Sequence, residues 1–161
     1  MEQQSVELLI EKYKNNIYAA AFNICKNAQD AEDVVLDTFI QYMLQKKNFE
    51  SESHIRAWLL RVAINKAKNK CNTFFRRNAL PLEDYIETLT FESEESSEIF
   101  ETVMKLPEKY RIVIHLFYYE DYSVNEIAGI LKLSQSNVKV RLSRGRGLLR
   151  STLKEVWEGD K

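Results

Sequence analysis

Apolar residues recur along the N-terminal part of the chain at the spacing of a helix. Val6, Leu9, Ile10, Tyr13, Ile17, Ala20, Ala21 and Ile24 advance mainly in steps of three and four. That places them on one face of an amphipathic helix of about six turns. A polar break, "KNAQD", follows. The pattern predicts a second helix from about Gln29 to Gln45. It predicts a third from about Ser53 to Cys71, with Ile55, Trp58, Leu59, Val62 and Ala63 as its apolar face. "KKNFESES" joins these two. Three helices on short loops make a compact bundle.

From Asn78 to about Glu94 the periodicity is weak and a proline interrupts it. This stretch reads as a disordered or loosely ordered linker. Helix resumes near Glu95 and ends near Leu106. Pro107 suits the first position of the next helix, "PEKYRIVIHLFYYED", because its missing N–H costs nothing there. Ser123-Val124-Asn125-Glu126 has the form of a capping box, and Ile127, Ala128 and Leu131 give the short helix behind it an apolar face. "KLSQ" is a tight turn, and Ser134 can cap the helix that follows. The predicted fold class is therefore all-α. An N-terminal helical bundle spans residues 1–77, an acidic linker 78–94 and a C-terminal helix-turn-helix domain 95–161.

Composition agrees with helices and narrows the function. The 161 residues fit one domain or two small ones. Four glycines and two prolines leave little material for tight-turned strands. No run of eighteen apolar residues exists, so no membrane span is expected. "MEQQSVELL" lacks a basic region ahead of an apolar stretch, so no signal peptide is expected. Cys25 and Cys71 are too few and too unpatterned to suggest a disulfide framework or a zinc site, which favours a reducing cytoplasm. With only His54 and His115 as histidines, no metal site is expected.

The net charge of -1 conceals a segregation. Residues 51–77 hold seven Lys/Arg and one acid, residues 78–101 eight acids and no base, and residues 134–154 six Lys/Arg and no acid. Two basic blocks around an acidic spacer suit contact with two stretches of one polyanion. In the second block, "SQSNVKVRLSRGRGLLR", a helical wheel puts Val138, Leu142, Gly145 and Leu149 on a packing face. Lys139, Val140, Ser143 and Arg144 point outward, and the remaining charges flank them. A capped helix, a tight turn and a basic helix form a helix-turn-helix, whose second helix can enter the major groove. Lys139 and Arg144 are expected at base edges, Arg141 and Arg146 at phosphates. Gly145 permits close helix approach. Gly147 has no evident role, and the helix is expected to fray or bend after Arg146.

The second helix carries two apolar faces. Ala31, Val34, Val35, Thr38 and Tyr42 form one; Leu36, Ile40 and Leu44, with Asp33 and Asp37, lie roughly opposite. An apolar stripe edged by carboxylates suits protein docking. The third helix carries Arg56, Trp58, Arg61, Asn65, Lys66, Lys68 and Lys70, then Phe74, Phe75, Arg76 and Arg77. Aromatics among cations suit unpaired nucleic acid. Asn65, uncharged and polar, can read a base edge. Trp58 is expected mainly as a core residue.

Three segments together resemble the bacterial extracytoplasmic-function (ECF) sigma factors, the minimal two-domain form of the housekeeping sigma family. "DAEDVVLDTF" is similar to the family's core-binding segment and "AWLLRVAINKAKNK" to its promoter-melting, minus-ten segment. "LPEKYRIVIHLFYYEDYSVNEIAGILKLSQSNVKVRLSRGRGLLR" is similar to its minus-thirty-five domain nearly end to end. The resemblance implies a dissociable initiation subunit of RNA polymerase with no catalytic activity, no cofactor and no small-molecule substrate. Asp33, Leu36, Asp37 and Ile40 would dock on polymerase core. Arg56, Arg61, Asn65, Lys66 and Lys68, with the loop "NFESESH", would hold the minus-ten element. Gln135, Ser136, Lys139, Val140, Arg141, Ser143, Arg144 and Arg146 would meet the minus-thirty-five element. An anti-sigma factor, often membrane-bound in the family, is the implied regulatory partner, and an envelope or stress response the implied setting. The chain departs from the family at Leu36, often Gln, and at Lys132, often Gly, so Lys132 is expected in a left-handed conformation. Asn137 replaces a common Thr and Gly145 a common Ala.

Other readings make different predictions. An autonomous helix-turn-helix repressor would bind a palindrome tightly without polymerase. A pure protein adaptor would need no basic recognition helix. An enzyme would need a nucleophile–base set, a phosphate loop or metal ligands, and the sequence offers none of these.

Overall fold

The computed structural model describes residues 5–78 and 94–159, with side chains for 5–71 and 97–155. The expected linker between 78 and 94 lies outside the described residues apart from its ends, as do the side chains of Phe74, Phe75, Arg76 and Arg77. Every regular element among the described residues is helical. The chain divides into two compact units, Met1–Ala79 and Leu80–Lys161.

The first unit is a three-helix bundle: α1 Val6–Cys25, α2 Ala28–Leu44 and α3 Glu52–Asn78, each packed on the other two. Ser5 caps α1 by accepting the Leu8 N–H, and Lys26 ends it in a left-handed turn, φ 53°. Asn27 follows at once and caps α2, its side-chain oxygen accepting the Asp30 N–H at 2.9 Å. Only these two residues separate the two helices. The core is filled by Leu9, Ile17, Ala21, Val34, Tyr42, Leu59, Ala63 and Ile64, the faces that the apolar spacing marks out.

The structure corrects two expectations here. Helix α3 continues to Asn78 rather than stopping at Cys71. Its basic, weakly amphipathic end leaves periodicity little to detect. Cys25 and Cys71, read from composition as unpaired, are joined in a buried disulfide with a Cα–Cα distance of 5.5 Å. The pairing requires α3 to pass beside the C-terminal end of α1, a tertiary fact that the separation of 46 positions hides. It also removes the cysteine argument for a reducing compartment.

In the second unit, α4 (Glu94–Met104) and α5 (Glu108–Ile114) are followed by a π-helical turn, His115–Tyr119; α6 spans Val124–Leu131 and α7 Gln135–Gly159. Pro107 stands one position earlier than expected, as the N-cap of α5, in extended conformation. The carbonyl ahead of it is used: the buried Arg111 guanidinium donates to Leu106 O at 2.8 Å. Burial lowers the pKa of that guanidinium from its usual value. The long helix expected through "HLFYYED" is instead broken into α5 and a wider turn, closed by Glu120 N–H donating to His115 O at 3.2 Å. One extra residue in the ladder re-aims the side chains after it. The aromatic rings of this turn interlock, His115 on Tyr119 and Phe117 edge-on to Tyr118.

The disulfide gives a stability test. A cross-link closing a loop of this length stabilises by about 4 kcal/mol in the chain-entropy account. Cys71→Ser is expected to lower the melting temperature by more than about 10 °C. Dithiothreitol should lower the wild-type melting temperature comparably and leave the variant unchanged, as followed by circular dichroism.

Candidate functional site

The helix-turn-helix is built by local bonds. Ser123 Oγ accepts the Glu126 N–H at 3.2 Å, and the Glu126 carboxylate accepts the Ser123 N–H at 3.0 Å, completing the capping box. Lys132 ends α6 at φ 57°, the left-handed conformation expected of it. Ser134 Oγ accepts the Asn137 N–H at 3.1 Å and so caps α7. Gln135 Nε2 donates to Asn125 Oδ1 at 3.0 Å, tying the start of α7 to the first turn of α6.

Helix α7 divides as the wheel predicts. Val138, Leu142 and Gly145 are buried, and Leu149 is half-buried. Gln135, Ser136, Lys139, Val140, Ser143 and Arg144 are exposed. At 100° per residue the exposed set from Lys139 to Arg144 occupies one continuous sector, and Arg141 and Arg146 lie on its two flanks. Gly145 is the pivot of the packing. A Cβ there would sit 2.8 Å from Ile114 Cδ1 and 3.2 Å from Tyr110 Cβ, so none fits between α7 and α5 unless those two side chains shift. At Gly147 a Cβ would meet nothing within 4 Å, and the helix runs on to Gly159 without the expected fraying. No structural role for Gly147 emerges.

Neither flanking arginine hangs free. Arg141 Nε donates to Asn137 Oδ1 at 3.0 Å, one turn back on the same helix. Arg146 Nε donates to the Tyr118 hydroxyl at 2.6 Å, and its guanidinium lies over the rings of Phe117 (5.2 Å) and Tyr118 (5.5 Å). Sequence reasoning assigned Arg146 to phosphate and missed this engagement. Nothing local signals it, because it spans 28 positions and depends on the π turn.

In the first unit, α2 keeps its second apolar face open. Leu36 is 62% exposed, Ile40 43%, Met43 60% and Leu44 75%, with Asp37 exposed beside them. Among the described residues no other helix of the bundle covers this stripe. Met43 belongs to it and was overlooked, although its spacing from Ile40 and Leu36 already pointed there. Asp33 differs from its neighbours: it is half-buried, 3.4 Å from Lys70 Nζ of α3, and accepts from Gln29 Nε2 at 3.2 Å. Both carboxylates border the stripe as the sequence predicts, but only Asp37 stands clear of the bundle, and Asp33 is tied to α3.

On α3 the basic set separates. Arg61, Asn65 and Lys68 follow at one-turn spacing and share a face directed away from the core, with Asn65 exposed. Lys66 and Arg56 lie on other sides of the helix, both half-buried. Trp58 is half-buried at the head of the same outward face, edge-on to Tyr42 (6.1 Å) and Phe49 (5.6 Å). The adjoining loop is ordered by contacts rather than by sequence pattern. Phe49 is buried against Tyr42, Trp58 and His54. His54 Nδ1 accepts the Glu50 N–H at 3.2 Å, and Ser51 Oγ accepts the His54 N–H at 3.1 Å to start α3. Lys12 of α1 is ion-paired with Glu52, fixing the loop's exit.

These surfaces have relatives. Residues 9–80 match the sigma-70 region 2 family and residues 96–149 the sigma-70 region 4 family. The chain is 30% identical to the ECF RNA polymerase sigma-E factor of Salmonella typhimurium, over 90% of this chain and 84% of that protein. The chain is an ECF sigma factor. It is 28% identical to the ECF RNA polymerase sigma factor SigW of Bacillus subtilis, over 96% of this chain and 92% of that one. Among solved structures it resembles RpoE from a complex with the anti-sigma factor NepR from Bartonella quintana, with TM-score 0.73 and 21% identity, covering 92% of this chain and 96% of that one. It also resembles CnrH in complex with the cytosolic domain of CnrY, with TM-score 0.69 and 26% identity, covering 92% and 87%. As a sigma factor, the chain is an RNA polymerase subunit that directs promoter recognition and transcription initiation. No helix among the described residues is long and apolar enough to cross a membrane.

The two kinds of position on α7 separate experimentally. Arg144→Ala is expected to cost about 1–3 kcal/mol and to relax preference at one base pair of the minus-thirty-five element. Arg141→Ala should weaken all sequences alike and reduce the salt slope of binding by roughly one unit. Holoenzyme titrations on promoters varied one base at a time, at several salt concentrations, read both effects.

Proposed function

We propose that each exposed surface has one task in initiation. The unit 1–77 docks on polymerase core and holds the minus-ten element, and the unit 95–161 reads the minus-thirty-five element. Leu36, Asp37, Ile40 and Met43 meet the clamp helices of the large polymerase subunit, with Asp33 at the edge of the contact. The loop Asn48–His54 and Asn65 capture a flipped base of the melted strand, flanked by Arg61 and Lys68. A pocket of fixed shape can offset the few kcal/mol that unstacking a base requires. Lys139, Ser143 and Arg144 read base edges, with Gln135, Ser136 and Val140 alongside. The acidic segment 78–94 threads toward the RNA exit path, and its charge repels DNA in the absence of polymerase.

The observation that carries this reading is the open apolar stripe of α2, bordered by a carboxylate, on a chain whose α3 and α7 turn basic faces outward. The chain performs no chemistry of its own and works in the cytoplasm. An anti-sigma factor, membrane-bound in the form that best fits an envelope signal, restrains it. RpoE was solved with the anti-sigma factor NepR, and CnrH with the cytosolic domain of CnrY, which supports this part.

The test of the whole is capture of polymerase core by the purified chain, followed by transcription from a supercoiled promoter library. Transcripts should require the chain and share two spaced elements. Tight binding to a palindrome without polymerase would overturn the reading in favour of a repressor.

Two variants test its parts. Leu36→Arg with Asp37→Arg should weaken core binding at least about tenfold while melting as wild type does, because both side chains stand clear of the bundle. Asn65→Ala neutralises no phosphate contact, so general affinity should be unchanged. Open-complex formation should drop, and the drop should depend on one minus-ten position. Permanganate footprinting of wild-type and variant holoenzyme on promoters varied at each minus-ten base measures it.

A further inference from the structure

Arg146 is a cation on the rim of a DNA-facing helix, yet it is turned inward. Its Nε donates to the Tyr118 hydroxyl at 2.6 Å, and its plane lies 5.2 Å from the Phe117 ring centroid and 5.5 Å from that of Tyr118. Tyr118 is itself half exposed and edge-on to Phe117 at 4.9 Å. Both aromatics sit in the π turn, whose added residue re-aims the side chains after Ile114. The adjoining residue, Gly145, rests against Ile114 and Tyr110 with no room for a Cβ. Helix α7 is therefore held at one level by two different contacts. Gly145 sets how near it comes to α5, and Arg146 sets its direction relative to the π turn.

We propose that Arg146, through Tyr118 and Phe117, is a positioning residue that fixes the tilt of the recognition helix, and that it is not a phosphate contact. The proposal rests on the reading of α7 as the minus-thirty-five reader. Lys139 lies two turns before Arg146, roughly 10 Å along the axis. A rotation of about 5° at Gly145 moves Lys139 by nearly 1 Å. Base-edge hydrogen bonds work within about 2.7–3.2 Å, so such a tilt is enough to lose one. The guanidinium suits this task better than an ammonium. Its plane stacks on two rings while its edge donates in a fixed direction. Arg141, on the opposite flank, has only a bond within its own helix and fixes nothing relative to the rest of the unit.

The experiment uses holoenzyme carrying wild type, Arg146→Ala, Tyr118→Phe or the double variant. Tyr118→Phe keeps the ring and removes only the hydroxyl, so it folds even if Arg146→Ala does not. Binding is measured on promoters varied singly across the minus-thirty-five element and over a range of salt, well below the melting temperature. Tyr118→Phe and Arg146→Ala should each reduce discrimination at the position read by Arg144, by up to about tenfold, the scale of one base-edge contact. The double variant should be no worse than the poorer single one, and the salt slope should stay at its wild-type value. A slope smaller by about one unit for Arg146→Ala, with Tyr118→Phe silent, would make Arg146 a phosphate contact and overturn the proposal. A lower melting temperature with discrimination intact would also overturn it, leaving a merely structural bond. Arg144→Ala serves as the control. If it too leaves discrimination unchanged, the base-reading assignment of α7 has failed, and thermal melts of the same four free proteins still report whether Tyr118 and Arg146 are coupled.

Discussion

Burial of a single stripe along α2, α3 and α7 decides which surfaces of this protein stay open. A helix in a small bundle meets its neighbours along one side, and the rest of its circumference faces water. On α2 the covered side is Ala31, Val34, Thr38 and Tyr42; on α7 it is Val138, Leu142 and Gly145. Everything that can meet a partner is on the remaining sides. The opposite side of α2 is apolar where solvent would favour polar groups, that of α3 carries a carboxamide between cations, and that of α7 is basic with two small or branched residues among the charges. Packing leaves these sides unconstrained, so their composition reports on partners rather than on the fold.

The same constraint explains why the contacts between helices are so economical. Gly145 does not serve a turn here. It sits inside a long helix, at a cost of about 1 kcal/mol relative to Ala, because the α5 side chains leave no space. The π turn after α5 has a matching logic. An unbroken α-helix through His115–Tyr119 would aim Phe117 and Tyr118 elsewhere, and the added residue brings them to Arg146. In the first unit, the Lys70–Asp33 pair and the Cys25–Cys71 bond fall on adjacent residues of α3 and tie its far half to α2 and α1 respectively. The edge of the exposed apolar stripe and the basic helix are thereby held by one stretch of chain.

Sigma-factor surfaces must also be available when polymerase arrives. The stripe on α2 exposes Leu36, Met43 and Leu44 well beyond half. Such an apolar patch in isolation favours self-association, and its acidic border, Asp37 with Asp33 nearby, keeps it hydrated and opposes stacking of identical copies. Charge segregation along the chain serves the same end, since like-charged DNA-facing surfaces on two copies repel.

The sequence by itself determined what depends on neighbours within a turn or two of helix. The helices α1, α2 and α6, the caps at Ser123 and Ser134, the tight fit at Gly145 and the exposed sectors of α2 and α7 all follow from residue type at short spacing, whereas the left-handed Lys132 was legible only through the family resemblance. Their energies arise from the local backbone and from whether a stripe is apolar. Only the tertiary structure decided the pairing of Cys25 with Cys71, the partner of Asp33, the aromatic setting of Phe49, and the turning of Arg146 onto Phe117 and Tyr118. Each of these joins residues that chain connectivity does not bring together, and none changes the periodicity that a reader of the sequence can count. The π turn belongs to the same class, because the contacts its aromatics make with Arg146 lie 28 positions away.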